Sequence, residues 1–437
     1  MKALLFFLSL FPLCVCTAAP VVTHLDNGLT VIIKENHRAP MVISQVWYRV
    51  GSADEPNGIT GIAHALEHMM FRGTPKISAK QFTRTITENG GFNNAATSRD
   101  YTYYYEVMPS QHLDLVLQLE ADRMQHLNLS PEDFSKEIQV VREERRMRTD
   151  DNPQALTMER FNAVAFASNP YHHPTVGWPS DLVHMTAGDL RHWYQQWYTP
   201  NNAAIVIAGD VTPKKALALV KQFFGHIPQR ALPIVKPHPD QTPMGKKRVT
   251  VKRPAKLPWL IMGFSAPHLS ADEKAWQPYA LMILSAVLSG DDSARLPTIL
   301  ARKKQIVTSV NANYSPFQRF DTQFTIVATP AKDKSMKEVK KAIWQQLTRL
   351  KKQAVKPTIL KQIVHQIEAE RIYQRDDLTD QASELGALFA LGLPMNTPEQ
   401  LISHLKTITP AQLQMAAKQF FVRDRLTVGV LVPENKG

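Results

Sequence analysis

The chain has 437 residues, 44% hydrophobic and 21% charged, the balance of a globular protein with room for two or three domains. Its formal net charge is +12, but the Lys and Arg are scattered and no basic patch is interleaved with aromatics, so nucleic acid is not expected as a partner. The only two cysteines, Cys14 and Cys16, lie in the first segment, so the rest of the chain has neither disulfides nor thiolate metal ligands.

That first segment reads "MKALLFFLSLFPLCVCTAA". One early Lys, an apolar stretch too short to span a bilayer and small residues near Ala18 make residues 1–19 a secretory signal peptide, cut close to Ala19. Removing Lys2 leaves a net charge of +11, from 50 basic and 39 acidic side chains. Lipidation at Cys16 is an alternative, although Leu13-Cys14-Val15 fits such a site poorly. No later segment is long and apolar enough to cross a membrane.

"GLTVIIKE" and "MVISQVWYRVGS" follow as strands and read as a hairpin-like pair. Next, "GIAHALEHMMFRGT" predicts a helix from Ile62 to Phe71, ended by Gly73 and Pro75. His64 and His68 stand four residues apart, so their rings project from one face, one turn apart. Glu67 sits beside them. Ile62, Ala63, Ala65, Leu66, Met69, Met70 and Phe71 surround this trio, so the helix is about to be buried. Burying two imidazoles and a carboxylate is unfavourable unless something compensates them, and a metal ion does so. With no cysteine at hand, that ion must sit on His, Asp or Glu.

Further along, "TYYYEV" (Thr102 to Val107) reads as a core strand. "SPEDFSKEIQVVREERRMRTDDNP" begins a second helix, with Ser130 as cap, Pro131 in the first turn and Asp133 completing a capping box. Its apolar stripe is Phe134, Ile138 and Val141. Glu137 and Glu144 border that stripe two turns apart, whereas Glu143 points to solvent. A catalytic zinc takes three protein ligands. Glu144 is therefore the third ligand to test, with Glu137 orienting a ligand from behind. In "NPYHHPTVGWPSDL", His172 and His173 read as structural.

Two segments repeat. "MTAGDLRHWYQQWYTPNNAAIVIAG" from Met185 and "ITPAQLQMAAKQFFVRDRLTVGVLV" from Ile408 align without gaps. Thr186 meets Thr409, Leu190 meets Leu413, and Trp197-Tyr198 meets Phe420-Phe421. Each predicts a Thr-capped helix running into a strand, which indicates a duplicated domain. Between the copies, Ile227 to Lys247 holds five prolines and reads as an extended linker. "RVTVKR" and "WLIMGFSAP" then open the second half. Strands, helices and strands in each half predict an α+β fold: two homologous domains, each with helices packed on a mainly antiparallel sheet. The expected boundaries are 20–230 for a zinc-binding domain, 231–245 for the linker and 246–437 for a homologous domain without metal.

"HALEH" has the H-x-x-E-H order of the inverted zinc proteases. The chain resembles the pitrilysin, insulin-degrading enzyme and mitochondrial processing peptidase family, in particular its half-length bacterial members, over nearly all of residues 20–437. The family pattern G-x-A-H-x-L-E-H-M-x-F-K-G-T is met except chiefly at Arg72, where the family has Lys. Its third ligand lies about 76 residues beyond the second His, with another Glu seven before it; Glu144 and Glu137 stand at those spacings. The resemblance implies one zinc per chain on His64, His68 and Glu144, with Glu67 as general base and unfolded peptides as substrates. "GGFNNAATS" resembles a family segment that forms a sheet edge facing the site, so Asn94, Ala95 and Ala96 are expected substrate contacts.

One family feature is missing. Complete members carry an Arg and a Tyr seven residues apart in the second domain, in a segment like L-R-E-K-R-G-L-A-Y-S-V. The matching stretch "LARKKQIVTSV" has Ala301 and Thr308 in their places. Arg302 is a candidate substitute donor. The resemblance therefore implies a partner, a homologous exported half-length chain that supplies Arg and Tyr, with a homodimer as the alternative. Periplasmic localisation is expected. The competing reading is a non-catalytic binding or assembly subunit of the same fold.

Overall fold

The computed structural model describes residues 19–235, 245–271, 275–374 and 377–434. The expected signal peptide through Ala18 and linker residues 236–244 lie outside the described residues. No described helix is long and apolar enough to cross a membrane.

The first half builds a six-stranded sheet from β1 (Val21–His24), β2 (Thr30–Glu35), β3 (Met41–Tyr48), β4 (Phe92–Thr97), β5 (Thr102–Pro109) and β6 (Ala203–Gly209). Its spatial order is β1-β2-β6-β3-β5-β4. The second half builds a five-stranded sheet from β7 (Lys247–Pro254), β8 (Trp259–Ala266), β9 (Val307–Asn313), β10 (Thr322–Pro330) and β11 (Leu426–Glu434), ordered β7-β11-β8-β10-β9. Every pairing is antiparallel except β2 with β6 and β7 with β11.

The expected hairpin of β2 and β3 is therefore wrong. The late strand β6 lies between them, as β11 lies between β7 and β8. The reason lies in β6 itself: all seven residues of "AAIVIAG" are buried. Such a strand is best placed in the sheet interior, with both faces and both edges covered.

Strand order also repeats the first half in the second, apart from β1. The two Thr-capped helices feed the inserted strands in both. Thr186 forms a capping box with Asp189 and Thr409 forms one with Gln412. Trp197-Tyr198 and Phe420-Phe421 are buried at matching places.

Each half lends one helix to the other's sheet. The helix Pro153–Ala165 of the first half packs on β7, β8 and β11, with Phe161 against Ile261. Leu378–Leu391 of the second half packs on β3 and β6, where Ala382, Leu385 and Phe389 meet Ile32, Ile43 and Trp47. Both contacts depend on a missing side chain. A Cβ on Gly263 would come 2.4 Å from Phe161, and one on Gly386 would come 2.0 Å from Trp47. Burying either large aromatic stabilises by about 1.5–3 kcal/mol on area grounds.

Candidate metal centre

The helix Ile62–Met69 is fixed first at its N-terminus. Its opening amides have no partner within the helix, and a carboxylate suits them electrostatically. Buried Glu55 accepts hydrogen bonds from the Gly61 and Ala63 amides at 2.7 and 2.9 Å. Burial pushes the Glu55 carboxyl well above its ordinary pKa, with the two amides opposing. Asp181 holds the approach, accepting from the Thr60 amide at 3.1 Å and the Thr60 hydroxyl at 2.6 Å. Gly61 has φ +88°, and a Cβ there would lie 2.8 Å from the Gly177 Cα. Only glycine meets both conditions.

From this start the helix buries Ile62, Ala63, Ala65, Leu66 and Met69, and also His64. It is α-helical to Met69 and tightens into a 3-10 turn over Met70–Arg72, slightly different from the single helix expected. The His64 and His68 rings stand 4.8 Å apart at 79°.

Glu144 comes from the neighbouring helix Pro131–Arg145, whose Phe134, Ile138 and Val141 are buried as the period requires. Ser130 caps it by accepting the Asp133 amide at 3.0 Å. The capping box expected here is only half formed, because the Asp133 carboxylate accepts the Ser130 hydroxyl at 2.7 Å instead of a backbone amide. Glu143 is exposed and paired with Arg146.

Both imidazoles converge on one carboxylate oxygen. The His64 Nε2 is 3.7 Å and the His68 Nε2 3.2 Å from Glu144 Oε2. Ligand atoms held 2.0–2.1 Å from a tetrahedral zinc stand roughly 3.3 Å from one another, so this spacing fits the ion. Among the described residues this is the one group of three such side chains whose ligand atoms all lie within 4.8 Å of each other. Burial, helped by neighbouring His68, lowers the His64 pKa to about 4. The ring is then neutral at pH 7, the form that binds a metal.

The surrounding groups divide by role. Glu137 is buried, with Oε2 3.2 Å from His68 Nδ1, and it also pairs with Arg72. The Arg72 departure from the family pattern thus lands on the carboxylate behind His68. The second oxygen of Glu144 pairs with Arg148 at 2.5 Å. Glu67 is half-buried on the same helix and accepts the Thr97 hydroxyl. Burial raises its pKa, with the Thr97 hydrogen bond opposing. Sequence reading did not single out Thr97 or Arg148. Arg148 carried a signal, because it follows Glu144 by four residues; Thr97 carried one only through the resemblance, as part of "GGFNNAATS", since strand and helix meet only in the fold.

Asn94, Ala95 and Ala96 lie on β4, which pairs with β5 on one side and is the end strand of its sheet. Asn93 and Asn94 are both within the strand. His173 Nε2 contacts Asn57 Oδ1 at 3.0 Å and His172 Nδ1 contacts the Asn169 carbonyl at 2.8 Å, as structural residues do. Ala301 lies half-buried in the helical turn Pro297–Lys303, and Thr308 is exposed on β9. Arg302 is 3.7 Å from Asp292.

Known proteins share this architecture. Residues 30–177 match the family model described as Insulinase (Peptidase family M16), and residues 184–367 match Peptidase M16 inactive domain. The zinc protease PqqE of Helicobacter pylori is 28% identical over 419 residues, 94% of this chain and 92% of its own. A crystal structure of a protease from Helicobacter pylori superposes with a TM-score of 0.89 at 28% identity, covering 95% of this chain and 99% of that one. The periplasmic protease PqqL of Escherichia coli shares the fold with a TM-score of 0.79 at 19% identity. There 95% of this chain covers 48% of PqqL.

Proposed function

The chain belongs to peptidase family M16 as a half-length member, and on that premise we propose that it is an exported zinc metalloendopeptidase. Its substrates are unfolded peptides or small polypeptides, and a homologous partner chain completes it. One observation carries the reading: His64 and His68 from one helix and Glu144 from another converge within ligand distance, with Glu67 beside them.

A zinc ion on these residues would supply Lewis acidity toward the scissile carbonyl and acidify a water at neutral pH. Glu67 takes the proton from the attacking water and returns it to the leaving amine. Burial favours this, because a carboxylate whose pKa is raised holds a proton more readily. Thr97 fixes the Glu67 carboxylate, and Glu137 orients the His68 ring.

Strand β4 suits an added peptide strand. Its sequence "FNNAAT" has none of the Lys or Pro that usually blunts an edge, whereas the edge strand β7 carries Lys247, Arg248, Lys252 and Arg253. A substrate pairing there through its backbone would pass Asn94, Ala95 and Ala96 and reach Glu67 through Thr97. Because the bonds are to backbone, varied side chains would be accepted.

Ala301 and Thr308 support the need for a partner: alanine has no side-chain donor, and the short Thr308 hydroxyl, which donates to the Thr329 carbonyl at 3.3 Å, lacks the reach of the family Tyr. The match to 48% of PqqL supports pairing of two such halves. The N-terminal segment supports export, and the periplasm is the compartment proposed. The same two residues favour the second reading, a non-catalytic subunit, but the complete His64, Glu67, His68 and Glu144 set weighs against it. The test is hydrolysis of an unstructured peptide by the zinc-loaded chain, alone and mixed with a homologous chain that lacks the zinc motif. Turnover that needs the partner and stops on chelation is expected. Hydrolysis unaffected by a chelator, or absent under every condition, would overturn the proposal.

A further inference from the structure

The two halves meet at a charge cluster that no part of the proposed mechanism uses. Arg319 lies in the loop between β9 and β10. Its Nη2 is 2.9 Å from Asp54 Oδ1 and its Nε 3.6 Å from Asp100 Oδ1. The Arg319 backbone amide donates to Tyr171 Oη at 2.9 Å and to Asp100 Oδ2 at 3.2 Å. The Tyr171 hydroxyl in turn donates to Asp100 at 2.6 Å. Both Asp side chains are almost fully enclosed, at 0% and 4% exposure. Burial raises their pKa values, and Arg319 opposes this in both.

Each carboxylate sits one step from the metal centre. Asp54 closes the turn Ser52–Asp54, and the next residue is Glu55, the cap of the His64 helix. Asp100 lies in the turn after β4, three residues beyond Thr97, whose hydroxyl meets Glu67. The two turns are also joined to each other. The Ser52 amide donates to the Ser98 carbonyl at 3.1 Å and the Ala53 amide to the Arg99 carbonyl at 2.8 Å. Arg99 also offsets the Asp100 charge, but Arg319 pairs with both carboxylates, and its planar guanidinium fork sets their separation as well as their charge.

We infer that Arg319, supplied by the half without the metal ligands, is a positioning residue that holds both turns and through them sets Glu67 against the metal site. The part of this concerning Glu67 as proton carrier rests on the function proposed above. The second half is then a mechanical component of the site without touching it.

Arg319→Met alone leaves buried Asp54 without its cation and Asp100 with only the charge of neighbouring Arg99, and can unfold the chain. The decisive variant is the triple Asp54→Asn, Asp100→Asn, Arg319→Met, which removes all three charges at similar volume. Arg319→Lys, a point charge that cannot span both carboxylates, is its companion. The first readout is hydrogen exchange in the metal-free chain, which needs neither partner nor turnover. In the triple variant, exchange should quicken about tenfold or more in residues 58–68 and 95–102, while β6 and β11 keep wild-type protection. The second readout is turnover with the partner. The expected result is a kcat lower by roughly 10–100-fold with KM within about threefold, and Arg319→Lys intermediate in both readouts. A folded triple variant with wild-type exchange in those two segments overturns the inference, as does quickening spread evenly over the whole chain. If the wild-type chain hydrolyses no peptide, the proposed function fails, and exchange alone still decides whether Arg319 holds the turns.

Discussion

The two halves share a strand order apart from β1, and the helix that follows the second strand of that shared order differs between them in its chemistry. After β3 the first half places "IAHALEHM", which buries His64 among apolar neighbours. After β8 the second half places Gln277–Ser289, "QPYALMILSAVLS", whose buried residues are Tyr279 and otherwise apolar. Each helix packs against matching neighbours, the first on Pro131–Arg145 and Ala187–Trp197, the second on Pro357–Gln374 and Pro410–Phe420. The comparison separates scaffold from chemistry. The fold asks only for a small, apolar helix at this position, and the second half supplies one. The first half places imidazoles and carboxylates there instead, an arrangement that is unfavourable until an ion joins them.

The largest effect should come from the proposed general base. Glu67→Gln should lower kcat by about 10²–10⁴-fold while zinc content stays at one per chain. Stopped assays on a peptide, run beside metal analysis, would measure both; near-wild-type turnover would remove Glu67 from its role.

If the scaffold is common to both halves, the two lent helices should matter alike. Trp47→Ala and Phe161→Ala should each destabilise by about 3–5 kcal/mol in denaturant unfolding. A large loss for one and almost none for the other would break the symmetry.

The carboxylate behind His68 should count for less. Glu137→Gln should weaken zinc binding by roughly 10–100-fold without abolishing it. Competition with a fluorescent chelator would read the change, and an unaltered affinity would reduce Glu137 to an ion-pair partner of Arg72.

The smallest effect concerns pH. Among the described residues, the two buried histidines, His64 and His173, both belong to the first half. Burial, with His172 beside it, lowers the His173 pKa to about 4. A depressed folded pKa means that the unfolded chain binds the proton first, so stability present above about 6.5 is lost as pH falls toward 4. Replacing His173 with Asn should flatten that part of the stability curve measured by thermal melts. An unchanged slope would show that His173 protonates freely in the fold.

Much of this was legible in the sequence because the signals were local. His64 and His68 one turn apart, Glu137 and Glu144 bordering one stripe, and Thr186 and Thr409 heading two similar helices are all readable from helical periodicity. What escaped was set by pairing over long distances. Nothing in "GLTVIIKE" reveals that β6, some 170 residues on, will lie beside it. Nothing in "SPFQRFD" reveals that Arg319 will reach Asp54. The lent helices were hidden for the same reason, since neither Phe161 nor Trp47 carries a local sign of the glycine it meets in the other half.

The metal chemistry is proposed to belong to the first half alone, on His64, His68 and Glu144. Its most direct test is calorimetric zinc titration of the metal-free chain beside His68→Ala. One tight site per chain is expected, lost in the variant, with the variant still folded. A wild-type chain that binds no zinc, or a variant that binds it with undiminished affinity and stoichiometry, would contradict it.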